Sequence, residues 1–402
     1  MKEQVRTALT SLLLCASLIM GGLALTTPYA EAQRGSGNHI VVPDTSVESP
    51  LDVGRRAHTN HLMNFGSPEG GLGPNGGMTP AQIRIFYNLG STGGSGTIVI
   101  VDAYDYPTAL NDFNFFSSQF GLPQESSTDP LASTNQVFRV VYASGSRPRT
   151  NAGWALEASL DIEWAHAMAP NAKIVLVEAA TNSFANLFDA VDVASSIPGA
   201  KQVSMSWGGS EFSSEASNDF HFTQTSGVVY FAASGDSGGV TIYPSASPYV
   251  MAAGGTRINT NTAGSFVSET GWSGSGGGPS KYEVRPFYQD GITGIVGAAR
   301  GIPDVSSDAD PNTGVAVYDT TRYQRRSGWF VIGGTSVSSP CLAGMSNLSG
   351  HNYASSTAEL TNVYGHPGSF RDILTGTAGS FSCATGWDFV TGVGSPQGTS
   401  GL

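Results

Sequence analysis

A chain of 402 residues with 40% hydrophobic content can bury a large core, while only 12% of it is charged and glycine fills 52 positions. A formal net charge of −12 opposes nucleic-acid phosphates and anionic membranes, so neither is expected as a partner. An acidic surface also suits an acidic medium, in which protonation carries net charge toward zero.

In chain order, an export signal comes first. Lys2 and Arg6 precede an apolar run from Leu9 to Leu25, and Ala30-Glu31-Ala32 offers small residues where a signal peptidase reads. Gly21, Gly22 and the polar residues after Leu25 make the run poor as a membrane span. Cleavage is expected after Ala32, giving a secreted protein, extracellular or periplasmic. Residues 33–77 carry Gly, Pro, Ser and Asn without sustained periodicity and read as an arm or linker.

The remainder, 78–402, reads as a single domain and is expected to be a monomer. Thr79 caps a helix with Pro80 at its first position. Apolar runs at Thr97–Asp102, Val137–Tyr142, Lys173–Glu178, Gln202–Ser206 and Val228–Ala232 predict strands covered on both faces, and amphipathic stretches at Gly153–Met168 and Ser183–Ala194 predict helices between them. That alternation implies an α/β fold: a mostly parallel central sheet flanked by helices, with the site at the carboxyl ends of strands. Once a signal is removed, Cys341 and Cys383 remain. Neither has CxxC spacing, and a disulfide between them and two separate thiols both stay open.

Three segments carry nucleophilic chemistry. Gly333-Gly334-Thr335-Ser336 follows the apolar run Trp329–Ile332 and precedes a helix, a place where a hydroxyl is presented at a sheet edge and developing negative charge is favoured. None of the seven histidines is followed by glycine, so the proton needs another acceptor. Glu157 and Asp161 stand four apart on one helical face among Leu156, Leu160 and Trp164; two such acids repel unless they share a proton, and sharing makes one of them a base. Asp236 follows the Val228–Ala232 strand among glycines, where its carboxyl can enter a site. Gly235–Gly239 also spells GDSGG, which would make Ser237 a nucleophile in an all-β protease, but the upstream histidine setting of such enzymes is missing.

Together these segments, with Ser204–Gly209, Tyr243–Tyr249 and Gly301–Val305, resemble the sedolisins, the serine-carboxyl peptidases with a subtilisin-like three-layer fold. The resemblance implies an acid-acting endopeptidase of proteins and peptides, with Ser336 as nucleophile, Glu157 as base, Asp161 orienting Glu157 and Asp236 as oxyanion partner. It places Asp102 where some members extend the carboxyl network, near Trp207, and has the backbone from Ser206 to Gly208 pair with extended substrate. Sedolisins are usually made with a large folded propeptide, and residues 33–77 are too short to be one. Either no such domain is needed or the short arm caps the cleft until processed. A peptidase fold without activity, and a histidine-dependent enzyme using His166, are the rival readings.

The last segment pairs Arg371-Asp372-Ile373 with Ala384-Thr385-Gly386-Trp387-Asp388, and two carboxylates with intervening carbonyls are hard ligands that suit calcium. The resemblance assigns one structural calcium ion to the side chains of Asp372 and Asp388 and the carbonyls of Ile373, Ala384 and Gly386.

Overall fold

Runs such as Thr97-Ile98-Val99-Ile100-Val101 are apolar on both faces of the pleat, so they are stable as strands only where helices cover both faces. The computed structural model describes residues 40–402 and shows this arrangement. The expected signal segment and its cleavage point lie outside the described residues.

Among the described residues three short strands come first, β1 (Ile40–Val41), β2 (His58–Thr59) and β3 (Leu62–Asn64). After α1 (Pro80–Phe86) come β4 (Thr97–Ala103), α2 (Ala109–Phe120), β5 (Phe138–Tyr142), α3 (Ala152–Met168), β6 (Lys173–Ala179) and α4 (Phe184–Ser195). Then follow β7 (Ala200–Met205), β8 (Trp207–Ser210), β9 (Val229–Ala233), β10 (Ile242–Tyr243), β11 (Met251–Thr260) and β12 (Phe266–Gly271). The central sheet has the order β12-β11-β9-β7-β4-β6-β5, with Val305–Asp308 also paired to β11, and every pairing in it except β11 with β12 is parallel.

Alternate residues of β4 feed two cores. Ile98 and Ile100 pack with Leu156 and Leu160 of α3 and with Leu342, whereas Val99 and Val101 pack with Leu187 and Val191 of α4. These are the three layers the alternating pattern predicts. The capping expectation at Thr79 is met by a full capping box with Gln82. From Gly153 to Met168 every residue of α3 is buried, because the helix is enclosed by the sheet on one side and by the helix Thr335–Ser349 on another.

Residues 40–64, within the stretch read as an arm or linker, form short strands that join the rest of the fold. β1 pairs with β3, β3 pairs with the strand Arg326–Gly333, and β2 pairs with β8. Strands of two or three residues are too short to write a period of two into the sequence. Cys341 and Cys383 are separate thiols, the first buried and the second half-buried, which resolves the open alternative in favour of no disulfide between them. No helix among the described residues is long and apolar enough to cross a membrane.

Candidate active site

Ser336 is the second residue of its helix, entered from Arg326–Gly333 through Gly334, whose φ of 103° favours glycine. A side chain there would also collide: its Cβ would stand 2.2 Å from the Asn60 carbonyl oxygen and 2.6 Å from Asp236 Oδ2. The turn therefore exists to let three groups meet. Ser336 Oγ donates to the Ser206 carbonyl at 3.2 Å and accepts from the Asn60 amide at 3.2 Å.

Around this hydroxyl stand the carboxyls expected from the sequence. Glu157 and Asp161 are fully buried one turn apart on α3. Asp161 Oδ1 accepts from Ser206 Oγ at 2.8 Å, and Ser206 Oγ also reaches the Ser336 carbonyl at 3.3 Å. Burial raises the Glu157 pKa, opposed by the Ser336 hydroxyl and the Asn60 amide. Burial and then the Glu157 charge raise Asp161 well above the usual carboxylate range. Asp102 is buried with no hydrogen-bond partner for either oxygen, and burial followed by Asp161, Glu157 and Glu178 raises its pKa. Trp207 donates to the Val101 carbonyl at 2.8 Å, which places its ring beside that strand end.

Asp236 sits in the turn after β9. Thr335 holds its Oδ1 with the backbone amide at 2.8 Å and the hydroxyl at 2.9 Å, leaving Oδ2 beside Gly334. Burial pushes its pKa up to about 7 against the two Thr335 bonds. Ser237, the rival nucleophile, is exposed on this turn.

A histidine lies in the site after all. His61 Nδ1 is 2.6 Å from Glu157 Oε2, both side chains are fully buried, and burial lowers the His61 pKa to about 4. Sequence reasoning searched for a histidine followed by glycine and passed over this one, which precedes Leu62. His166 is instead buried against Phe113 and shares a hydrogen with the Pro123 carbonyl at 2.9 Å. His61 arrives with the arm: β2 lies antiparallel to β8, His58 opposite Gly208 and Thr59 opposite Trp207, and the Ser336 amide donates to the Asn60 carbonyl at 3.0 Å.

Comparison with known proteins shows the family and the fold. A family model described as "Peptidase_S8: Subtilase family" matches residues 149–394, a span that holds Glu157, Asp161, Asp236 and Ser336. The chain is a subtilase of the sedolisin type. It is 36% identical to kumamolisin of Bacillus sp. (strain MN-32) over 60% of this chain and 49% of that one. It is 27% identical to sedolisin of Pseudomonas sp. (strain 101) over 87% of this chain and 64% of that one, so it spans about half to two thirds of these relatives. A solved structure of Pseudomonas sedolisin, a serine-carboxyl proteinase complexed with two molecules of pseudo-iodotyrostatin, superposes with a TM-score of 0.67 at 25% identity, covering 80% of this chain and 95% of that one. The subtilisin-like α/β fold expected from the sequence is thereby established.

In this sedolisin-type chain each of the two C-terminal aspartates accepts from a backbone amide of the segment 384–386. Both oxygens of Asp372 accept from the Gly386 amide, at 3.2 and 3.1 Å. Asp388 Oδ2 accepts from the Ala384 amide at 3.0 Å, and its Oδ1 accepts from the amides of Val390 and Thr391 at 2.8 Å each. Ile373 is buried, while Ala384 and Gly386 are exposed.

Proposed function

We propose that the chain is an acid-acting serine-carboxyl endopeptidase that hydrolyses proteins and peptides through an acyl-enzyme on Ser336. The observation that carries this reading is a serine at a helix N-terminus beside two fully buried acids one turn apart, Glu157, whose raised pKa the Ser336 hydroxyl opposes, and Asp161, tied to Ser336 through Ser206. In this reading one proton passes between Glu157 and Asp161, the member left ionised serves as the sink for the Ser336 proton, and the Ser206 hydroxyl fixes Asp161. The Ser336 amide and protonated Asp236 then face the oxygen that becomes negative in the tetrahedral intermediate. Asp102 extends the same buried carboxyl network.

A second reading has a specific observation behind it, since His61 on Glu157 imitates part of a serine–histidine–acid triad. Against it, Nε2 of His61 has no hydrogen-bond partner, while Ser336 Oγ bonds to Ser206 and Asn60. Casein and peptide mixtures incubated from about pH 3 to about pH 8 should be cut best on the acid side. The His61→Gln chain should retain that activity. A loss of roughly 10⁴-fold in His61→Gln would establish the triad instead, and no hydrolysis at any pH by the parent chain would leave a peptidase fold without activity.

Folding itself takes up protons, which sets how stability changes with pH. Asp102, Glu157, Asp161, Glu163, Asp236 and Asp308 all have pKa values raised first by burial. A carboxyl whose folded pKa exceeds its unfolded one binds more protons in the folded state, so stability falls as pH rises from about 4 toward the folded values. His61 and His166, each lowered to about 4, act oppositely between about 6.5 and 4. The acids outnumber them, so the melting temperature should be higher near pH 5 than near pH 8.

The calcium assignment fits the loop. Burial raises the Asp388 pKa, and a divalent cation would relieve that cost. Asp372, Asp388 and the carbonyls of Ile373, Ala384 and Gly386 would hold one ion, which ties the C-terminal loop together and takes no part in bond cleavage. Excess chelator should lower the melting temperature before it slows turnover; an unchanged melting curve with no metal by elemental analysis removes the ion from the account.

A further inference from the structure

This acidic chain displays a concentrated basic surface away from its candidate active site. We infer that the tip of the hairpin formed by Val315–Tyr323 and Arg326–Gly333 is a docking surface for a carboxylated polysaccharide, whose uronic acid units seat against Arg322, Arg325, Arg326 and the aromatic rings beside them. The inference goes beyond the peptidase reading and does not rest on it.

The two strands pair antiparallel, with Tyr323 opposite Arg326 across the turn Gln324-Arg325. Arg322, Arg325 and Arg326 are all exposed, and among the described residues none of them is in an ion pair. In a chain whose formal net charge is −12, unpaired guanidinium groups gathered on one turn are a local reversal of sign. The turn itself points to a use for them. Gln324 and Arg325 have φ of 46° and 67°, the left-handed region in which a turn of this kind favours asparagine and glycine. An arginine there strains the backbone, and strain of that sort marks a position whose side chain has work elsewhere.

Aromatic rings adjoin the arginines. The Arg326 guanidinium lies over the Phe65 ring, 3.8 Å from its centre, which fixes the plane of the cation. Arg326 also lines a pocket of about 250 Å³ together with Asn64, Asn75 and Trp329, and no acidic residue lines that pocket. Beyond Trp329 the aromatic surface continues. The Trp329 ring meets Tyr318 edge to face at 5.1 Å, and Tyr318 stacks at 4.0 Å on Phe115, which is 46% exposed. Rings left facing water beside unpaired cations mark a binding surface.

The chemistry of this surface selects the partner. A planar guanidinium fork matches a carboxylate, and the flat C–H face of a sugar ring packs on an aromatic side chain. In a uronic acid the carboxylate is bonded to the ring itself, so charge and flat face arrive together, as Arg326 and Trp329 stand on one pocket. A nucleotide separates phosphate from base by a ribose, and an acidic peptide brings charge without a flat ring. The net charge of the whole molecule opposes any polyanion, but at a Debye length of roughly 8 Å a ligand at the tip is governed by the arginines next to it. The strand from Arg326 to Gly333 spans about 23 Å, so a polymer held at the tip leaves Ser336 unobstructed.

The full chain should be titrated with polygalacturonate by calorimetry at about pH 5, in about 50 and about 200 mM salt, with poly-D-glutamate and single-stranded DNA of matched charge in parallel. Binding that weakens at the higher salt, and is about tenfold or more tighter for polygalacturonate than for the other two polymers, is the expected result. Replacing the three arginines with serine should weaken it by about tenfold or more with the melting temperature unchanged. Arg325→Gly separates binding from folding: affinity should fall about twofold to fivefold while the melting temperature holds or rises, because glycine accepts the positive φ. No binding of polygalacturonate, or binding that the arginine substitutions leave unchanged, overturns the docking surface. Equal or tighter binding of poly-D-glutamate or DNA overturns the saccharide as its occupant.

Discussion

Ser336→Ala should reduce kcat on a peptide substrate by roughly 10⁴- to 10⁶-fold, with Glu157→Gln falling in the same range and the double variant little worse than either. Non-additivity is the informative part. The hydroxyl has no route to lose its proton without the acid pair, and the pair has nothing to accept once the hydroxyl is gone, so the second removal takes away what the first had already disabled. Asp161→Asn should cost less, because its bond to Ser206 positions the pair and an amide can hold part of that geometry. Ser237→Ala should leave activity within about twofold, as expected of an exposed serine outside the network. Steady-state kinetics after circular dichroism confirms folding is the measurement. Full activity in Ser336→Ala, or its loss in Ser237→Ala, would return the GDSGG segment to candidacy.

The residues that the sequence exposed most clearly were those whose chemistry is at odds with their surroundings. Glu157 and Asp161 stand among Leu156, Leu160 and Trp164, which marked their side of the helix as buried, although the stretch read as amphipathic and is in fact buried on every face from Gly153 to Met168, Glu163 and His166 included. Gly334 before Ser336 was similarly legible, because a positive φ and close approach both demand glycine there. Five strands of the central sheet, β4, β5, β6, β7 and β9, emerged within two residues of their expected ends for the same reason, their apolar runs being uninterrupted, whereas β11, β12 and Val305–Asp308 were not expected. What stayed hidden was the arm. His58–Thr59 and Leu62–Asn64 owe their conformation to β8 and to Arg326–Gly333, partners more than a hundred residues away, and two or three residues carry no periodic signal of their own. His61 was lost for that reason, since its role depends on what Asn60 touches.

Asp236→Asn should shift the alkaline limb of the pH–rate profile upward even where the maximal rate drops. Asp236 lies with one oxygen held by Thr335 and the other near the Asn60 carbonyl beside Gly334, so the oxyanion role proposed for it requires a proton on the carboxyl. Its pKa, raised by burial to about 7, keeps that proton through the acid range. As pH rises through about 7 the group ionises, and a donor facing a developing oxyanion becomes a like charge, so kcat/KM falls with one proton lost. Asparagine supplies an N–H donor that does not titrate, so the fall tied to Asp236 disappears. The acid limb should stay where it was, since it belongs to the Glu157–Asp161 pair as a unit. Removing one well-placed oxyanion donor costs about 10²- to 10³-fold in comparable sites, and Asp236→Ala should approach that loss at every pH, whereas Asp236→Asn should lose far less above the wild-type limb than below it. The measurement is kcat/KM on one peptide across the acid and neutral range for all three chains. An unshifted alkaline limb in an active Asp236→Asn chain would mean that a different group titrates there and that Asp236 serves only to hold Thr335 at the start of the Ser336 helix.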